Sequence, residues 1–182
     1  NGMLDPGEDA NGNGLLDAAE DSNGNGVLDA GIGISIVSSG PTAIILADDP
    51  TSTTLPTGIT NNTVSNNGSG MNLIATNGGG FSAIVDTNLA NNNTDANGFG
   101  IRVLADNGLF NLVRYENNQT NNNAGDGTVL AAATGGVLVV GDLALDSDDS
   151  MTNTQLTGNK LNGLRIDANA GTLSTSSLAH WP

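Results

Sequence analysis

Residues 91–103 read Asn-Asn-Asn-Thr-Asp-Ala-Asn-Gly-Phe-Gly-Ile-Arg-Val, which is an asparagine cluster followed by glycine and an alternating apolar segment. The same loose pattern returns in three further segments, at residues 61–73, 121–130 and 153–166. The glycine before the apolar segment recurs at intervals of 30, 27 and 36 residues, as Gly70, Gly100, Gly127 and Gly163. Alternating apolar residues are typical of β-strands, and Asn and Gly are favoured at turns. The chain from about residue 32 onward is therefore predicted to be a repeat of short strands and tight bends.

A unit of about 30 residues with two or three short strands cannot bury its own apolar side, whereas stacked units can. Asparagine at a bend tolerates positive φ and can stack its amide on the next unit. The pattern over residues 32–178 resembles the Asn/Gly-rich right-handed parallel β-helices of bacterial surface and polysaccharide-active proteins. The predicted fold class is all-β, a parallel β-helix with coils of about 30 residues. A β-sandwich, which is also built from short strands, is the alternative.

The composition limits the classes of partner. The 182 residues include 4 Lys and Arg against 19 Asp and Glu, a formal net charge of -15. This charge argues against nucleic acid, anionic lipid or an acidic polysaccharide, unless a cation mediates the contact. There is no cysteine, so neither a disulfide nor a thiolate zinc site is expected. No apolar run approaches the roughly 20 residues that span a bilayer, so membrane insertion is not predicted.

Two consecutive 12-residue segments, residues 9–20 and 21–32, place oxygen-bearing side chains at segment positions 1, 3, 5 and 9 and glycine at position 6. Calcium takes six to eight oxygen ligands, and this spacing converges them around one ion. Glu20 would close the first loop with two oxygens, whereas Ile32 stands at that position in the second. The predicted metal ligands are Asp9, Asn11, Asn13, Leu15 (carbonyl), Asp17 and Glu20, then Asp21, Asn23, Asn25, Val27 (carbonyl) and Asp29.

Residues 1–8 fit positions 5 to 12 of an earlier copy, which adds Asn1, Met3, Asp5 and Glu8 to the predicted ligands. The chain thus starts within a loop, and we expect it to be a piece of a longer protein. The tandem period without intervening helices resembles thrombospondin type 3 repeats and the loops of dockerins. The resemblance implies EF-hand-like calcium loops in residues 1–32, followed by the β-helix in residues 33–182. An Asx-rich turn segment without calcium is the alternative.

The few carboxylates in each loop predict weak calcium affinity, on the order of 10⁻⁴ to 10⁻³ M, as in extracellular modules. Such loops would be empty in the cytosol and filled outside the cell. The expected localisation is therefore extracellular or at the cell surface.

Candidate catalytic groups are few. The acid pairs Asp48-Asp49 and Asp148-Asp149 could be the two carboxylates of a glycoside hydrolase. Adjacent residues on a strand point to opposite faces, however, and the flanking residues are typical of turns, so both pairs are assigned to turns. Arg102 and Arg165 hold equivalent places in their repeats and are expected on one outer face, where they balance nearby acids or bind a carboxylated glycan. His180 is the only histidine, which argues against a triad. No catalytic residue is predicted.

The sequence therefore favours a non-enzymatic extracellular structural or adhesive protein with Ca²⁺ as its cofactor. We expect a homo-oligomer or polymer, such as a filament or surface layer. A glycan-binding or glycan-cleaving β-helix is the second hypothesis. A dockerin-like docking module ranks third, because a dockerin needs helices after its loops and the segment after residue 31 is β-like.

Overall fold

A computed structural model describes residues 31–41, 43–46, 58–141 and 154–175. Within these ranges the regular elements are all β-strands, and the all-β prediction is confirmed. The strands are β1 (Ile32–Ser39), β2 (Ala43–Leu46), β3 (Ile59–Thr60), β4 (Ser69–Thr76), β5 (Gly80–Asp86), β6 (Phe99–Asp106), β7 (Leu109–Glu116), β8 (Asp126–Ala133), β9 (Val137–Val140), β10 (Leu164–Asp167) and β11 (Thr172–Thr175).

The strands form two sheets in which all neighbouring strands are parallel. The first sheet has the order β1-β4-β6-β8-β10, and the second has the order β11-β9-β7-β5-β2 with β3 also paired to β5. From β4 onward, successive strands alternate between the first and the second sheet, so each repeat contributes one strand to each. This parallel pairing differs from the antiparallel sheets of the sandwich alternative.

The register of the first sheet follows the glycine intervals of the sequence. Met71 pairs with Ile101, Ile101 with Thr128, and Thr128 with Leu164. Each of these residues directly follows one of the four recurring glycines, so the intervals of 30, 27 and 36 residues are the lengths of successive repeats.

The stacked glycines are required because neighbouring backbones approach too closely for a side chain. A Cβ atom on Gly100 would lie 2.7 Å from the carbonyl oxygen of Gly127 and 2.8 Å from that of Ala90. A Cβ on Gly127 would lie 2.5 Å from the oxygen of Gly163. Ordinary Cβ contacts are longer than 3.0 Å, so glycine is the residue that lets these strand starts stack at sheet spacing.

The core lies between the two sheets and consists of rows of like residues from successive repeats. Leu73, Val103 and Leu130 form one such row and are almost fully buried. From the second sheet, the rings of Phe81 and Phe110 pack with centroids 4.6 Å apart. These rows give each repeat its apolar contacts through its neighbours rather than within itself.

A third line of contacts runs beside the sheets and is made of isolated parallel bridges. Leu89 bridges Thr63 on one side and Gln119 on the other, and Gln119 bridges Gln155. The bends around this line use left-handed backbone, as expected for asparagine: Asn66, Asn92 and Asn122 have φ of 64°, 57° and 58°.

Candidate functional site

The predicted calcium ligands, from Asn1 to Asp29, lie outside the residues that the structure describes. The same holds for Asp48-Asp49, Asp148-Asp149 and His180. In the described ranges, no three His, Asp or Glu side chains gather into a group that could hold a metal ion. The calcium loops thus stay a prediction from the sequence.

The outer face of the first sheet carries the two arginines singled out in the sequence. On β6, Arg102, Leu104 and Asp106 alternate with buried core residues and therefore point outward. Arg102 pairs with Val129, and Val129 pairs with Arg165 two strands away. The expectation that both arginines lie on one outer face is confirmed.

Arg102 is held in place by two neutral contacts. Its guanidinium carbon lies 4.6 Å from the centroid of the Phe99 ring, within cation–π range. Its Nε donates a hydrogen bond of 2.8 Å to Oδ1 of Asn72, its neighbour on β4. Burial lowers the pKa of Arg102 from its ordinary value, and repulsion from the Arg165 charge lowers it further. The side chain stays cationic at neutral pH because an arginine pKa starts above 12.

Arg165 is neutralised by a buried acid. Its Nη1 lies 3.1 Å from Oδ2 of Asp126, whose side chain is almost fully buried at the start of β8. The other oxygen, Oδ1, accepts hydrogen bonds from the backbone N–H and Nδ2 of Asn162 at 3.1 and 2.8 Å. Asp126 therefore neutralises Arg165 and also accepts the hydrogen bonds that join Asn162 of the last described repeat to β8.

Arg114 on the second sheet is likewise paired, with Asp86 at 4.0 Å and Glu116 at 3.6 Å. Among the described residues, no carboxylate lies within 4.0 Å of the Arg102 guanidinium. Local charge balance therefore explains Arg114 and Arg165 but does not explain Arg102.

A row of aliphatic side chains crosses the same outer face next to the arginines. The register joins Val37 to Ile74, Ile74 to Leu104, and Leu104 to Ala131. Val37 is exposed and the other three are partly exposed. We call these four residues the aliphatic row. On its far side lies Asp106, whose side chain has no hydrogen bond or ion pair with any described residue.

Asparagine side chains form ladders along the stacking direction inside two of the bends. Oδ1 of Asn93 accepts from the backbone N–H of Asn67, and Nδ2 of Asn93 donates to Oδ1 of Asn123 at 2.8 Å. Asn123 continues to Oδ1 of Asn159 at 2.9 Å. A second ladder joins Asn62, Asn88 and Asn118 in the same manner. The predicted stacking of asparagine amides is confirmed, and each ladder fixes the register of the repeats.

The first ladder and the core are both incomplete at the last described repeat. Nδ2 of Asn159 is buried and has no hydrogen-bond partner among the described residues. Ile166 continues the core row of Leu130, yet it is 48% exposed where Leu130 is 2% exposed. Among the described residues, this end of the stack therefore has a donor without an acceptor and an exposed apolar side chain.

Buried hydroxyl groups add a further polar network in the middle repeats. The Tyr115 hydroxyl and Thr128 Oγ1 are 2.8 Å apart, and Thr128 Oγ1 lies 3.2 Å from Thr120 Oγ1. Burial raises the pKa of Tyr115, although its hydrogen bond with Thr128 partly opposes this. Tyr115 therefore belongs to the interior.

The sequence reasoning missed the unpaired Asp106 and the aromatic support of Arg102. The ring of Phe99 is buried at the start of β6 and supports the guanidinium. The signal that could have found Asn72 was its distance of 30 residues from Arg102, the length of one repeat.

No protein-family model matches the chain, and neither a curated protein nor a solved structure matches it significantly. The described part of the chain holds no helix long and apolar enough to cross a membrane.

Proposed function

We propose that the chain is a right-handed parallel β-helix with N-terminal tandem calcium loops, and that it works as an extracellular structural or adhesive protein. In this proposal it is not an enzyme. Its stacked repeats assemble with further repeats, in a filament, a surface layer or a longer surface protein. Ca²⁺ bound by the loops in residues 1–32 stabilises the N-terminal side.

The observation that carries the proposal is the unused stacking surface at the last described repeat. The exposed Ile166 is the side chain that a further repeat would cover, and Nδ2 of Asn159 is the ladder donor that has no acceptor among the described residues. An open end of this kind favours addition of another parallel unit, because edge strands expose unpaired backbone groups.

The β-helix part of the proposal is supported by the parallel registers and by the alternation of strands between the sheets. Parallel crossovers are right-handed in almost all proteins, which supports the handedness. The calcium part rests on the sequence pattern of residues 1–32 and on its resemblance to thrombospondin type 3 and dockerin loops.

Chelation tests the calcium part. Removing Ca²⁺ should lower the melting temperature or make residues 1–32 sensitive to protease, because unneutralised carboxylates repel one another. The matched variant Asp9→Asn with Asp21→Asn should lose this response to chelation. A melting temperature and a digestion pattern that do not change on chelation would contradict the calcium assignment.

A glycan-binding or glycan-cleaving β-helix is the second candidate. The shared face of Arg102 and Arg165, with Arg102 lacking a carboxylate, is the observation that favours it. Titration with uronic-acid oligosaccharides, with neutral oligosaccharides as the control, tests binding, and release of reducing ends tests cleavage. Saturable binding that Arg102→Gln abolishes would favour this candidate over the structural one.

A further inference from the structure

We propose that the outer face of the first sheet binds the same face of a second copy of this chain, in a weak two-fold dimer. In this dimer the aliphatic row packs on its counterpart, and Arg102 lies opposite Asp106 of the second copy. The contact is lateral, and it adds a second interface to the end-to-end stacking in the proposed function, on which its biological role rests.

The two unpaired charges of β6 are the first argument. Arg102 and Asp106 lie on the same side of one strand, and four residues of strand separate them by about 13 Å. They therefore cannot pair with each other, and neither has a charged partner among the described residues. When β6 of a second copy runs antiparallel to β6 of the first, Arg102 of each copy lies opposite Asp106 of the other.

The symmetry of the pattern is the second argument. Leu104 lies midway between Arg102 and Asp106, and the aliphatic row runs through it along the stacking direction. A two-fold axis parallel to that row leaves Leu104 against Leu104 and exchanges the Arg102 and Asp106 positions. At the rim of the face it also brings the exposed Asp167, which pairs with Ala131 in the same row, towards Asp167 of the second copy. The same patch then serves both copies, as an isologous interface requires.

Charge is the third argument. The chain carries a formal net charge of -15, so most of its surface repels another copy. The strands of this sheet carry two arginines, Arg102 and Arg165, against three acids, Asp106, Asp126 and Asp167, which is a net charge of -1. The face is therefore closer to neutral than the chain as a whole, and a second copy meets less repulsion here than elsewhere.

Rigidity is the fourth argument. The Phe99 ring and Asn72 Oδ1 fix the Arg102 guanidinium without neutralising it. A pre-positioned cation loses little side-chain entropy when it forms an ion pair. This arrangement suits an intermolecular ion pair better than a mobile surface arginine would.

The size of the face sets the strength of the contact. Five strands spaced by about 4.8 Å and an outward stretch of about 13 Å give a footprint of roughly 300 Å² per copy. A standard stable interface buries about 800 Å² per partner. We therefore expect dimers only at high protein concentration, in the upper micromolar range or above.

Sedimentation equilibrium of the full chain over a concentration series tests the dimer in an Ile166→Lys background, which blocks end-to-end stacking, with two further variants and their mixture. Asp106→Arg alone and Arg102→Glu alone should each be monomeric, because like charges then meet across the axis. An equimolar mixture of the two variants should recover the dimer, since each mixed pair keeps one wild-type ion pair between Arg102 and Asp106 and forms one ion pair of reversed sign between the two substituted positions. An anion-binding role for Arg102 predicts no such recovery.

Leu104→Lys and its control Leu109→Lys test the dimer even if the Arg102→Glu variant does not fold. Leu104→Lys puts two cations on the axis and should abolish the dimer, whereas Leu109, exposed on the second sheet, should tolerate the change. The proposal is overturned if the Ile166→Lys chain is monomeric at about 1 mM, if the mixture stays monomeric, or if the dimer survives Leu104→Lys in that background. Polymers that survive Leu104→Lys in the chain that keeps Ile166 would leave the end-to-end proposal intact.

Discussion

The middle repeats and the last described repeat use the same rows of residues with different results. Leu130 in a middle repeat is 2% exposed, whereas Ile166 in the same row is 48% exposed. Asn123 donates its side-chain amide to Asn159, but the amide of Asn159 has no acceptor among the described residues. The contribution of a side chain to the free energy of unfolding therefore depends on the repeats that flank it. The same substitution should have different effects in a middle repeat and in the last described repeat.

The largest difference is expected at the glycines. Gly100→Val should destabilise the fold by about 3 kcal/mol or more, because its Cβ would meet two backbone oxygens and Thr120 at under 3.0 Å. Gly31→Ala, where a Cβ meets nothing within 4 Å, is the control and should be nearly neutral. Urea unfolding followed by circular dichroism measures both. Equal stability of the two variants would show that the strand starts do not stack so closely.

The core row should give the next largest contrast. Leu130→Ala should cost about 3 kcal/mol, because it leaves a cavity between closely packed repeats. Ile166→Ala should cost less than about 1 kcal/mol in the isolated chain, because water already covers half of that side chain. The free energy of unfolding is measured in dilute solution, where stacking between chains is absent. Equal costs would mean that the end of the row is covered.

The asparagine ladder offers an isosteric test. Asn93→Asp replaces the donor to Asn123 by a buried carboxylate oxygen and should cost about 2 kcal/mol or more at pH 7. Asn159→Asp keeps the oxygen that accepts from Asn123 and breaks no described hydrogen bond, so it should cost less, about 1 kcal/mol, for the burial of the new carboxylate oxygen. Thermal unfolding of the two variants distinguishes the positions. A larger loss in Asn159→Asp than in Asn93→Asp would reverse the assigned direction of the ladder.

Tyr115 is the only tyrosine and reports on the middle repeats, with the smallest expected effect. Burial raises its pKa in the folded state, so the fold holds the phenol proton more tightly than the unfolded chain, whose tyrosine pKa is about 10. This contribution is present at neutral pH and is lost as the pH rises above about 10 towards the folded pKa. Phenolate absorbance should therefore appear together with unfolding in an alkaline titration.

Tyr115→Phe checks the same network at neutral pH. It removes the contact of the phenol oxygen with Thr128 and should cost about 1 kcal/mol. Ionisation of Tyr115 near pH 10 in a chain that stays folded would contradict its burial.

The first sheet was the most predictable part of the fold. Neighbouring backbones approach so closely at the strand starts that only glycine fits there. The recurring Gly70, Gly100, Gly127 and Gly163 therefore predict the register of the strands. The left-handed bends were predictable for the same reason, because asparagine tolerates positive φ.

Other features had no comparable sequence signal. β7 has one residue more than β5 between the pairs Ala83–Leu112 and Ile84–Arg114, an irregularity that spacing alone does not reveal. Arg102 and Asp106 lack ion-pair partners among the described residues because the stacking of the repeats brings no opposite charge near either side chain. That in turn depends on the lengths of all the repeats, which vary from 27 to 36 residues.

The central claim is that the end of the stack at Ile166 and Asn159 binds a further repeat. Sedimentation velocity of Leu104→Lys, which lacks the lateral contact, and of Leu104→Lys with Ile166→Lys tests it with and without Ca²⁺. We predict particles larger than a monomer in the first variant and smaller particles in the second. A strict monomer in the first variant, both with and without Ca²⁺, would contradict the claim.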